Sequence, residues 1–229
     1  MKKLSISCFL GLLGMTLIAK AAPTPVVVGY FTKEPPSIFE TKTKPFFVEQ
    51  TQKSCPQCEI RNLTPYNKAG EYDPSALPAA IEGVGAGVTF LFFDWNERSS
   101  EVNQKVVDLL SRKTAEGHLL VASAGVPPTN EGSCPLVNTL MGKVPNALII
   151  GELEERDRLL AQCYFGPEML SAIRPPKALI GQGYGPLYFV TRLATHWDRR
   201  GSSEWVSYLK ARKAKTKRIW AELEEFFPR

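Results

Sequence analysis

Four short stretches of this 229-residue chain are almost wholly apolar at successive positions: Val26 to Phe31, Val88 to Phe93, Leu119 to Ala122 and Ala147 to Leu153. Neighbouring side chains of a strand point to opposite faces, so a strand without polar alternation has to be covered on both sides. Helical segments lie between these runs. Together they select an α/β fold of three layers, a mostly parallel twisted sheet with helices on both faces. Cys58 to Leu63 is a further, more polar strand candidate.

The helices are read from spacing and punctuation. One is predicted at about 76–84, with Ser75 as its cap and Pro78 in the first turn, where a missing N–H removes no helical bond. The next spans 100–115, with Val102, Val106, Leu109 and Leu110 on one face, Ser99 or Ser100 as cap and Gly117 just past the end. The turn Gly181-Gln182-Gly183-Tyr184-Gly185-Pro186 opens a third, placing Leu187, Val190, Ala194 and Trp197 together. A C-terminal helix over about 203–227 packs through Trp205, Leu209, Trp220, Leu223, Phe226 and Phe227. Thr32 to Ser54 reads equally as a short helix or a loop. No repeat or long linker divides residues 22–229, so one domain is expected.

Residues 1–21 have the plan of a secretory signal: Lys2 and Lys3 precede the apolar run Phe9 to Ile18, and Ala19-Lys20-Ala21 is a small-x-small cleavage site. A periplasmic or secreted product beginning at Ala22 is expected. Later stretches fall short of the roughly 20 apolar residues a membrane helix needs. Cleavage removes three lysines and no acid, which reduces the net charge from +5 to +2. That balance argues against nucleic acid as a partner. Six positive charges crowd the segment Lys210 to Arg218, a stripe that suits either solvation or an acidic partner.

The chemistry-bearing residues are sparse. The only two histidines, His118 and His196, are far apart and lack cysteines at ligand spacing, so no zinc site and no other cofactor is expected. Gly181, Gly183 and Gly185 lack dinucleotide-binding spacing and fit a tight turn better than a phosphate cradle. Asp94, Glu97 and Asp157 lie near strand ends without an evident acid–base pairing. Four cysteines remain after the signal: Cys55, Cys58, Cys134 and Cys163. In an oxidising compartment they allow two disulfides. Cys55-Pro-Gln-Cys58 fits a local structural bridge or a redox pair, although reactive pairs sit at helix N-termini and Glu59 to Leu63 reads as a strand.

Taken in order, Val26 to Phe31, Gly70 to Ile81 with Gly87 to Phe93, Leu119 to Gly125, Pro145 to Gly151, Phe165-Gly-Pro-Glu168 and Gly181 to Leu187 resemble the subtilisin-like serine proteases. The resemblance implies a subtilisin-like fold. It also implies where the catalytic groups belong, and each position is altered. The first-strand aspartate falls on Thr32, or on Phe31 if the match slips by one; the oxyanion asparagine falls on Val126 and the nucleophilic serine on Gly183. The family's early histidine has no counterpart, since the first histidine after the signal is His118. In subtilisin itself, loss of the serine or histidine alone lowers turnover by about 10⁶. Val126 also removes the donor that sustains residual catalysis. The resemblance further implies that Cys134 and Cys163 occupy loops on one side of the fold, where they could bridge. The expectation is an exported pseudoprotease that binds a peptide or protein. An exported solute-binding module and a thiol oxidoreductase using Cys55 and Cys58 remain as alternatives.

Overall fold

Among the residues the structure describes, six strands form a single sheet: β1 (Val27–Phe31), β2 (Glu59–Asn62), β3 (Phe90–Phe93), β4 (Leu119–Ser123), β5 (Leu148–Glu152) and β6 (Met169–Ile173), in the order β2-β1-β3-β4-β5-β6. Every neighbouring pair is parallel. The computed structural model describes residues 25–98, 104–125, 135–153, 166–179, 183–198, 200–215 and 226–227. The signal-like residues 1–21, together with Cys134, Cys163, Val126, Asp157 and Gly181, lie outside the described residues.

The strands sort their side chains by parity. Val28, Tyr30, Phe90, Phe92, Leu119, Val121, Leu148 and Ile150 share one core with α2 (Lys44–Thr51), α5 (Gly185–His196) and α6 (Ser202–Lys215). Phe31, Leu91, Phe93, Leu120, Ala122 and Ile149 face the other, with α3 (Leu77–Glu82) and α4 (Gln104–Ala115). This is the three-layer arrangement that the uninterrupted apolar strands require. Each fully buried leucine or phenylalanine contributes about 1.5–3 kcal/mol of burial.

Two local readings change. α3 begins after Ala76, not Ser75: the Ser75 hydroxyl and amide both donate to Asp73 in a turn, so the serine serves the preceding loop. The segment left open between Thr32 and Ser54 is helical, running through α1 (Pro36–Ile38), a π-helical turn (Phe39–Thr43) and α2. The last strand, β6, has no expectation to match. Gly117 closes α4 in a positive-φ conformation (104°), as its place in the sequence implies.

The Cys55–Cys58 disulfide forms directly between α2 and β2, with Cα atoms 5.3 Å apart. Cys55 follows a helix C-terminus and is buried, the opposite of the helix-start setting that activates a thiol. In the C-terminal region Trp205, Leu209, Phe226 and Phe227 are all buried. Part of the basic stripe is engaged: Lys213 donates through Nζ to the Met169 carbonyl, and the Arg212 guanidinium lies 5.2 Å from the Tyr208 ring centroid.

Candidate functional site

Parallel strands all end at the same edge, and in open α/β sheets that carboxyl edge is where ligands bind. Here β1 and β3 lie side by side with Tyr30 opposite Phe92 and Phe31 opposite Phe93. Asp94, the residue after β3, therefore emerges on the same face as Tyr30. The Tyr30 hydroxyl donates to Asp94 Oδ2 at 2.5 Å. Both line a cavity of about 350 Å³, the size of a small-ligand site. Phe92, Thr43 of the π-helical turn, and Gly183 and Tyr184 ahead of α5 complete its inner wall.

The electrostatics of this corner are unusual for the chain. Enclosure by protein pushes the Asp94 carboxyl up from its ordinary range to about 7, helped by the negative charge of Glu34 and opposed by hydrogen bonds from Thr32 and Tyr30 and by Lys33. Burial and the neighbouring Asp94 raise Tyr30 well above the ordinary phenol range, so it remains a donor. Burial also raises Tyr184. Lys33 is drawn away from Asp94: it pairs with Glu97, and its Nζ lies 5.7 Å from the Trp95 ring centroid.

The wall is held by well-satisfied groups. Thr32 is buried, with its amide donating to Thr64 Oγ1 and its hydroxyl accepting from the Glu34 amide. Asn96, two residues beyond Asp94, donates to the Thr139 hydroxyl and the Ala124 carbonyl and accepts from the Met141 amide. Gly125 has φ 77°, and a Cβ there would sit 2.7 Å from the Asn96 carbonyl oxygen.

The glycine-rich turn also has a structural account. Gly183 adopts φ 81°, which favours glycine. A Cβ at Gly185 would approach the Ile173 carbonyl oxygen to 2.6 Å and the Glu152 backbone to 3.2 Å. The Gly185 amide donates to Glu152 Oε2 at 2.8 Å, so a buried carboxylate from β5 already occupies the start of α5. Gly183 and Gly185 thus form the tight turn expected of them, and the helix start is capped by the β5 carboxylate.

The remaining candidates lie elsewhere. His118 precedes β4 at the opposite, amino edge, with Nδ1 2.7 Å from the Val88 carbonyl. His196 is the last residue of α5, with Nδ1 2.8 Å from the Arg192 carbonyl. Of the positions onto which the family resemblance maps catalytic groups, Gly183 lines the cavity and Thr32 directly follows β1. No group of three or more His, Cys, Asp or Glu among the described residues is arranged to hold a metal ion. None of the helices among them is long and apolar enough to cross a membrane.

No protein-family model matches the sequence, and no curated protein does. Solved structures do match. A lanthipeptide protease superimposes with a TM-score of 0.63 at 9% identity, over 88% of this chain and 86% of that one. A cold adapted subtilisin-like serine proteinase gives 0.54 at 11% identity, over 84% of both chains. The fold is subtilisin-like. At these identities the likeness concerns the path of the backbone, and the chemistry has to be read from this chain's own side chains.

Proposed function

We propose that this chain is an exported, single-domain protein of subtilisin-like fold without peptidase activity, which binds a peptide or a segment of another protein in the cavity at its carboxyl edge. One observation carries the reading. The cavity contains Gly183 where the family resemblance expects a nucleophile, and its polar wall is the Tyr30–Asp94 pair. Acyl transfer by this constellation needs a hydroxyl, a histidine and a carboxylate in mutual contact. Both histidines of the chain are bonded to backbone carbonyls at positions away from the cavity wall.

The test is incubation of the purified protein with unstructured casein and with a fluorophosphonate probe. The expected result is neither cleavage nor labelling, with casein-derived peptides retained by the immobilised protein. Reproducible cleavage that disappears when one serine is substituted overturns the proposal.

A further inference from the structure

The cavity combines features that together specify the chemistry of what enters it. Among the described residues three aromatics line it, Tyr30 and Phe92 from adjacent strands and Tyr184 from the start of α5. Two carboxylates, Asp94 and Glu34, share the cavity with one lysine among the described residues, Lys42, which is exposed. The nearest other cation, Lys33, is taken up by Glu97 and by the Trp95 and Tyr72 rings on the far side of β1. Asp94 thus sits half-buried at the cavity wall while Lys33 pairs with Glu97, an arrangement that costs free energy when the carboxyl ionises.

We propose that the cavity accepts a primary ammonium group, seated against Asp94 and over the aromatic wall. The inference rests on the reading of this cavity as a peptide-binding site and names the group it selects. An ammonium has three donors on a tetrahedral centre. The acceptors here come from three separate elements: the Asp94 carboxylate after β3, the Thr43 hydroxyl from the π-helical turn and Glu34 after β1. That divergent set suits an ammonium better than the planar fork of a guanidinium. The rings of Tyr30, Phe92 and Tyr184 add cation–π attraction, which is strongest where water is excluded. An anion would face two carboxylates and receive one exposed lysine.

Binding then depends on pH through Asp94. The groups around it are Tyr30 on β1, Lys33 and Glu34 after β1, Lys42 on the π-helical turn, Glu97 after β3 and Tyr184 ahead of α5. The Asp94 carboxyl, pushed up by burial to about 7, changes its charge around neutrality. The cation favours the ionised carboxylate, so affinity rises with pH through that range.

The experiment is calorimetric titration of the whole protein with Nα-acetyl-lysine methylamide and with its neutral isostere Nα-acetyl-norleucine methylamide. The lysine probe is expected to bind about tenfold or more tightly than the norleucine probe, since a hydrogen bond to a charged group is worth about 1.5–3 kcal/mol. Its affinity should rise about tenfold or more between roughly pH 5.5 and roughly pH 8. Asp94→Asn keeps an acceptor for the Tyr30 hydroxyl and should remove both the preference and the pH dependence. If that variant does not fold, the pH series on the unsubstituted protein still decides. Trialanine amide with a free or acetylated N-terminus separates an α-ammonium from a side-chain source: a preference for the free form means that both are accepted, and none means the side-chain source alone. Equal, pH-independent binding of the lysine and norleucine probes overturns ammonium selection and leaves peptide binding standing. Absence of binding by the lysine probe at millimolar concentration overturns it too. Binding of the lysine probe with no retention of casein peptides sinks the peptide reading and keeps the ammonium site.

Discussion

The two edges of the sheet use polar residues differently. At the amino edge, His118 and Lys113 are buried, yet each bonds to a nearby backbone carbonyl, His118 to Val88 and Lys113 to Val84. Lys113 also pairs with Glu116 on its own helix. These contacts close loops. At the carboxyl edge, Tyr30, Thr43, Asp94 and Tyr184 arrive from four different elements and meet around open space. Groups satisfied by the nearest carbonyl hold the fold together; groups brought from distant elements to a shared cavity have an arrangement that local stability does not require.

Substitutions can break this contrast, and the largest effect is expected where the carboxyl edge depends on tight backbone packing. Gly185→Ala forces a methyl against the Ile173 carbonyl and the Glu152 backbone, neither of which can move without disturbing β5 or β6. It should cost about 2–3 kcal/mol, read as a fall in melting temperature of roughly 2–4 °C per kcal/mol. An unchanged melting curve would mean that the turn is looser than its geometry. At the amino edge, Lys113→Met keeps the aliphatic stem and removes the ammonium that bonds to Val84 and Glu116. A loss of about 2 kcal/mol is expected, with binding to the cavity untouched.

The carboxyl edge should betray itself next by a pH dependence of stability. Asp94 is raised from about 4 in the unfolded chain to about 7 in the fold. Between those values the native state holds the extra proton, so stability falls as pH rises from about 4 to about 7 and is level above. Allowing for partial solvent access, the decline is about 1–2 kcal/mol. In Asp94→Asn this component should vanish, and the variant should be more stable than the parent at about pH 8. Urea titrations of both proteins across that range check the sign.

Much of the scaffold is legible in the sequence because it is encoded locally. β1, β3, β4 and β5 are apolar runs, and the ends of α4 and α5 are marked by Gly117 and Pro186. β6 escapes because Met169-Leu-Ser-Ala-Ile173 has one β-branched residue and no alternation. The helical segment over residues 36–51 escapes because Pro36 and Pro45 and the π-helical turn disturb the 3.6-residue period. The Tyr30–Asp94 pair is harder still. Each residue is visible at a strand end, but their meeting depends on β1 and β3 being neighbours in a particular register across 64 positions. Only the parity of Tyr30 and Asp94 relative to the aligned apolar runs could have suggested it.

The smallest expected effect sharpens the comparison from the other side. His118→Phe preserves a buried ring at the start of β4 and deletes the Nδ1 bond to the Val88 carbonyl. A single neutral hydrogen bond is worth about 1 kcal/mol, so the melting temperature should drop by roughly 2–4 °C. Affinity for a lysine probe should not change, because His118 lies at the opposite end of the strands from Asp94. If this substitution weakens binding as much as Asp94→Asn does, the two edges are not functionally separate and the division drawn between fold-holding and site-forming polar groups fails.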